Sequence, residues 1–103
     1  MTNNRLDVLR GMVAANPTDS FARYGLAMEY VKSGSLQEAV EQFTQLLAGN
    51  EKYPAAYFHG GQALEKLGKI DDARALYEKG IQVTTAMGDM HTRSELQAAL
   101  DIL

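Results

Sequence analysis

Slid against itself by 34 residues, the chain aligns Ala22 with Ala56, Lys32 with Lys66, Gly34 with Gly68 and Ala39 with Ala73. The same offset pairs Tyr24 with Phe58, Ala27 with Gly61, Leu36 with Ile70, Glu38 with Asp72, Phe43 with Tyr77 and Leu47 with Ile81. Size and polarity therefore recur beyond the identities. A repeat of this period restricts the fold more than any other feature, because each unit is a small supersecondary element that buries its apolar face only by stacking on its neighbours.

Composition makes that element helical. Ala and Leu number 26 against 8 Val and Ile, with 2 Pro in 103 residues, which favours helix almost throughout and argues strongly against an all-β fold. Thr18 or Asp19 can cap a helix that carries Phe21, Tyr24, Leu26, Ala27, Tyr30 and Val31 at helical spacing, and Gly34 can end it in the left-handed conformation. Ser35 is predicted to open the next helix with a capping box, its hydroxyl accepting from the Glu38 N–H. Leu36, Ala39, Val40, Phe43, Leu46 and Leu47 then form one stripe that Gly49-Asn50 stops. The second unit repeats the plan: Pro54 suits a first helical turn, Gly68 a helix end, and Asp71 and Asp72 a first turn, where negative charge suits the helix dipole. Connections of a few residues fold the paired helices into antiparallel hairpins.

Two flanking stripes, Leu6, Leu9, Met12 and Val13 before Asn16-Pro17 and Leu96, Ala99, Leu100 and Leu103 at the end, predict single helices covering the two ends. The expected fold is all-α: one domain, a right-handed α-solenoid of antiparallel helical hairpins with about six helices. Its segments are an N-terminal helix in 1–19, a first repeat in 20–53, a second in 54–87 and a capping helix in 88–103.

With Ser20 and Pro54 as first positions, the eighth holds Ala27 and Gly61, the fifteenth Gly34 and Gly68, the twentieth Ala39 and Ala73, and the twenty-fourth Phe43 and Tyr77. This pattern resembles the tetratricopeptide repeat family, whose helix-turn-helix unit of about 34 residues sets small and large residues at fixed places. One unit earlier, Leu9 and Pro17 fall on the twenty-fourth and thirty-second positions, so the first helix resembles the second half of a preceding repeat. The likeness covers two full repeats and a half. It has departures: the fourth position, often Trp in the family, is Arg23 and then Tyr57; the seventh and eleventh are Leu26 and Tyr30 but then Gly60 and Leu64. Gly80 stands inside a helix at the twenty-seventh position, where a helix must either pack very close or bend. A third unit from Gly88 would put Glu95 at the small eighth position, which reads the last helix as a cap.

Charge and motifs narrow the function. Ten basic and 13 acidic residues give a net charge of -3, and the basic residues are interleaved with acids, which removes non-specific attraction to nucleic acid or anionic lipid. The absence of Cys removes disulfides, thiolate catalysis and cysteine-ligated metal. No apolar run approaches the roughly 20 residues of a membrane span. The start Thr2-Asn3-Asn4-Arg5 lacks the apolar core of a signal peptide, so the cytoplasm is the expected compartment. No phosphate-binding glycine loop, Gly-x-Ser-x-Gly or His-Glu-x-x-His occurs. His59 and His91, on adjacent helices, could approach each other, but a catalytic metal usually takes about three protein ligands, and solvent-facing or groove-edge roles fit them better. No enzyme activity and no cofactor are expected.

The resemblance implies that the second, fifth, ninth and twelfth positions of each first helix face the concave side. These are Phe21, Tyr24, Met28 and Val31, then Ala55, Phe58, Gln62 and Glu65. Since Leu26, Ala27 and Tyr30 already supply a face toward the partner helix, the segment from Phe21 to Val31 is apolar almost all round, more than a two-layer hairpin can bury. At about 1.5–3 kcal/mol per large side chain removed from water, that face drives association with a partner peptide or a second subunit, unless the 4–15 helix or another crossing covers it. Phe21, Tyr24, Met28, Val31 and Phe58 are the expected apolar contacts, with His59, Gln62, Glu65 and Lys66 setting orientation. The clamp by which some relatives hold a C-terminal carboxylate, through Lys and Asn, is replaced by Tyr24, Met28 and His59. The expected function is therefore a protein-protein interaction module taking an apolar or amphipathic peptide segment in a concave groove. A homodimer through the same surface is the alternative.

Overall fold

A computed structural model describes residues 4–103, with side chains from Arg5 onward; Thr2 and Asn3 of the polar start lie outside the described residues. Among the described residues there are six helices and no strand: α1 (Asn4–Ala15), α2 (Ser20–Lys32), α3 (Leu36–Gly49), α4 (Pro54–Lys66), α5 (Ile70–Met87) and α6 (Met90–Asp101). Each helix packs on the next, most extensively α2 on α3 and α4 on α5. Beyond sequential neighbours only α2–α4 and α4–α6 touch, whereas α1, α3 and α5 do not touch one another. The stack therefore bends with α2, α4 and α6 on its inner side.

Helix boundaries follow the punctuation of the chain. The Asp19 carboxylate accepts from the Ala22 N–H at 3.1 Å and opens α2, and Pro54 is the first residue of α4. Gly34 and Gly68 end their helices at φ of 82° and 78°, which costs glycine nothing. In both turns the glycine N–H and the next N–H reach back to helical carbonyls: Gly34 to Val31 and Ser35 to Tyr30, then Gly68 to Glu65 and Lys69 to Leu64. The predicted capping box at Ser35 does not form. Ser35 sits at ψ 67°, close to the ψ 80° of Asp89, whose carboxylate does accept from the Thr92 N–H. Glu38 remains in the first turn of α3, where its charge suits the dipole.

Close approach holds the second hairpin together. A Cβ on Gly61 would lie 2.1 Å from Cε1 of Tyr77, and one on Gly80 would lie 2.7 Å from Cβ of Tyr57 and 2.9 Å from Cδ1 of Leu96. Of the two readings of Gly80, close packing is the one realised. Both rings are fully enclosed and pinned at their hydroxyls: Tyr57 donates to the Glu51 carbonyl at 2.7 Å and Tyr77 donates to the Glu65 carboxylate. Leu26, Ala27, Tyr30, Ala39, Phe43, Leu46 and Ala56 form one core cluster, while Tyr57, Leu64, Ala73, Tyr77, Leu96 and Ala99 form a second. Leu47 packs against both and joins them.

Arg23, in place of the family's aromatic residue, is buried with its guanidinium donating to Gln42 Oε1 and Gln45 Oε1, each at 2.7 Å, and to the Pro17 carbonyl at 3.0 Å. It ties α2 to α3 and to the preceding loop with hydrogen bonds instead of ring packing. No buried side-chain nitrogen or oxygen among the described residues lacks a partner.

Two glycine substitutions separate packing from helix propensity. Gly61→Ala should lower stability by about 1–3 kcal/mol, since a pinned ring fills the space its methyl needs. Gly11→Ala, in α1 with nothing within 4 Å of the added Cβ, should raise stability by up to about 1 kcal/mol. Urea unfolding of the two variants checks both signs.

Candidate partner-binding face

The inner side of the stack presents aromatic side chains at the junction of α2 and α4. The Tyr24 ring stands 5.3 Å from Tyr53, 6.1 Å from His59 and 6.2 Å from Phe43, centroid to centroid. Phe58 meets His59 edge-on at 5.3 Å. These are tilted contacts of the kind aromatic rings prefer, and they hold Tyr24 and His59 half-buried with one side of the group open. Sequence spacing missed Tyr53, because it precedes the Pro54 start of α4 and lies on no helical stripe.

Electrostatics keep this patch neutral near physiological pH. Burial pushes the Tyr24 and Tyr53 hydroxyls above their ordinary value of 10.0. Burial pulls the His59 imidazole below its ordinary 6.5, with the charge of Glu95 opposing. His91 Nε2 lies 3.9 Å from Oε1 of the same Glu95. Among the described residues no three His, Asp or Glu side chains are grouped to hold a metal ion, and no helix is long and apolar enough to cross a membrane.

The four residues read as one uncovered stripe on α2 occupy different environments. Phe21 is 77% exposed, whereas Tyr24, Met28 and Val31 are half-buried against the first core cluster alongside Leu6, Leu9 and Val13 of α1. The first helix thus covers part of that face and leaves Phe21 in water. Between α1 and α2 lies a groove of about 580 Å³ lined by Leu9, Met12, Phe21, Tyr24, Gly25 and Met28, with Arg5, Glu29 and Lys32 toward one end. Val31 does not line it. On α4, Phe58 packs partly against the second core cluster and Gln62 is half-buried; Lys66 is exposed in the last turn. Glu65 is engaged within the hairpin by the Tyr77 hydroxyl, which narrows what its carboxylate can offer a ligand. The α1 wall of the groove was not read from the sequence, because Leu9 and Met12 sit on an apolar stripe that reads as core, whereas in the structure both line the groove and Met12 is 45% exposed.

Comparison with known proteins agrees with this architecture. The tetratricopeptide repeat family model matches residues 24–85, and the chain belongs to that family. A TPR repeat-containing protein of Pseudomonas aeruginosa is 25% identical over 95 residues, spanning 92% of this chain and 90% of that one. The solution NMR structure of a tetratricopeptide repeat domain protein from Salinibacter ruber is 36% identical, with a TM-score of 0.76, and the match covers 82% of this chain and 86% of that one. PcrH, whose crystal structure is a complex with the chaperone binding region of PopD, superposes with a TM-score of 0.88 over 94% of this chain and 74% of its own. At 15% identity that likeness is one of fold.

The depressed His59 value has a consequence for stability. A histidine with a folded pKa below its unfolded one takes up its proton more readily in the unfolded chain, so stability falls as pH drops from about 6.5 through the folded value. The urea midpoint should therefore decrease between about pH 7.5 and about pH 5.5, and His59→Gln should reduce the decrease. An equal decrease in the variant would contradict the burial of His59.

Proposed function

We propose that this chain is a non-enzymatic protein-protein interaction module that takes an apolar or amphipathic segment of a partner on the inner face of its stack. One observation carries the reading: Tyr24, Phe58 and His59 are arranged by α2 and α4 into an aromatic patch that the fold leaves half open, beside an exposed Phe21. Half-buried aromatic groups on a rigid scaffold are the side chains that dominate binding energy at protein interfaces. Gln62 and Lys66 supply hydrogen bonding and charge at the rim. The fold shared with PcrH, a protein solved with a bound segment of PopD, supports the same reading.

The Tyr24→Ala/Phe58→Ala double variant tests it. Wild-type protein used as bait should retain partners from a host lysate that the folded double variant retains at least about tenfold less. Equal retention would contradict the assignment.

A homodimer is the second reading, favoured by Val8, Met12 and Phe21, which expose large apolar groups at one end of the molecule. Sedimentation across concentration separates the two, since a chain that stays monomeric at high concentration removes self-association.

A further inference from the structure

The charge of Arg23 is buried without a counter-ion. The residue is 9% exposed, and its acceptors, Gln42 Oε1, Gln45 Oε1 and the Pro17 carbonyl, are all neutral. They supply hydrogen bonds but no negative charge, and taking a charge out of water costs free energy that an opposite charge would offset. Among the described residues the charged contacts join Arg5 to Glu29, Arg10 to Asp7, Arg74 to Asp71 and His91 to Glu95, and none involves Arg23. Asp19, one turn earlier, accepts from the Ala22 N–H. Burial and the Asp19 charge together push the Tyr53 hydroxyl up, which turns that carboxylate toward the inner side of the stack and not toward α3.

Arg23 also has unused donors. A guanidinium carries five N–H groups. Nη1 serves both glutamines and Nη2 serves Pro17, which leaves the Nε–H and one Nη2–H with no acceptor in the protein. No fully buried side-chain nitrogen among the described residues lacks a partner, so Nε is reached by solvent.

A cavity of about 110 Å³ lies against this side chain, between the start of α2 and the end of α3. Ser20 and Gln45 line it with Arg23. The Ser20 hydroxyl accepts from Asn50 and keeps its own proton to donate, while Gln45 turns its oxygen to Arg23 and leaves its NH2 without an acceptor in the protein. Pro17 and Leu46 form apolar walls, and no Asp or Glu of the described residues lines the space. The two helix ends offset each other there: α2 begins at Ser20 with about half a positive charge and α3 ends at Gly49 with about half a negative one, so Arg23 sets the sign.

We propose that this cavity binds a carboxylate on a short apolar stem, which supplies the counter-ion that Arg23 lacks. Volume and donors select that class. A space of about 110 Å³ takes a group of a few heavy atoms and is well below the roughly 300–1,000 Å³ of clefts for drug-sized ligands. A carboxylate accepts at both oxygens, and its bonds to a guanidinium are charge-assisted, roughly twice as strong as neutral ones. Its stem lies on Pro17 and Leu46. Inorganic phosphate brings more charge than one guanidinium balances and has no stem for the apolar walls. A free short-chain acid and the acidic side chain of another protein offer the same chemistry. None of the lining residues belongs to the aromatic patch of the inner face, so the site stands apart from the partner-binding reading.

Propionate, N-acetylglutamate α-amide, its neutral glutamine counterpart and inorganic phosphate, each titrated against chloride at constant ionic strength, test the proposal by NMR. The two carboxylates should give saturable shift changes at the Arg23 Nε–H, the Ser20 amide and the Gln45 side-chain amide, at least about tenfold tighter than the neutral compound. Binding of both supports the proposal with a protein side chain as a source, and binding of propionate alone supports it with a free acid. Arg23→Met should abolish the changes. Gln45→Glu, at an exposed position, places a carboxylate beside the guanidinium within the chain itself and decides the matter even where Arg23→Met does not fold. It should weaken propionate binding at least about tenfold and raise the urea midpoint. No saturable change with either carboxylate, equal changes with the neutral compound, tighter binding of phosphate than of propionate, or undiminished propionate binding by Gln45→Glu overturns the proposal.

Discussion

Helices in a repeat stack approach as closely as their smallest facing residues allow, and in this chain that limit is set where Gly61 meets Tyr77 and Gly80 meets Tyr57. With no Cβ at either glycine, α4 and α5 close until backbone lies against ring. Close packing of this kind contributes dispersion along the whole contact and tolerates little displacement. The two tyrosines hold their rings in place through hydroxyl bonds to Glu51 and Glu65. Burial and the acceptance of that bond by Glu65 push the Tyr77 hydroxyl far above its ordinary value, so the phenol stays a donor.

That rigidity is what allows a small protein to expose aromatic surface without collapsing onto it. α2, α4 and α6 touch on the inner side of the bend, and the residues they present there keep fixed spacing. Tyr24, His59 and Phe58 are consequently held half open by packing behind them. α6 buries Leu96 inward yet leaves Met90 and the adjacent Ile102 exposed, and at the N-terminal end Val8, Met12 and Phe21 are exposed.

Most of the fold was legible in the sequence because each helix carries its own start and stop: Asp19, Pro54, Gly34 and Gly68 act through bonds within a few residues of themselves. The recurrence of small and large residues at one interval then fixed which helices pair. Features that depend on atomic reach were not legible. Ser35 has the right identity and spacing for a capping box, yet its hydroxyl does not make the bond. Arg23 read as a departure from the family pattern and is instead a buried tie to Gln42, Gln45 and Pro17. Helical spacing marked Phe21, Tyr24, Met28 and Val31 as apolar but could not apportion them between groove, inner face and core. That division depends on where α1 crosses α2.

The account's central claim is that the stack is interlocked at its second hairpin and open at its first helix. Native-state hydrogen exchange measured helix by helix tests it directly. The account predicts that the slowest amides of α4 and α5 exchange only with global unfolding, while those of α1 exchange through a local opening at least about tenfold faster. Amides of α1 as protected as those of α4 would contradict it.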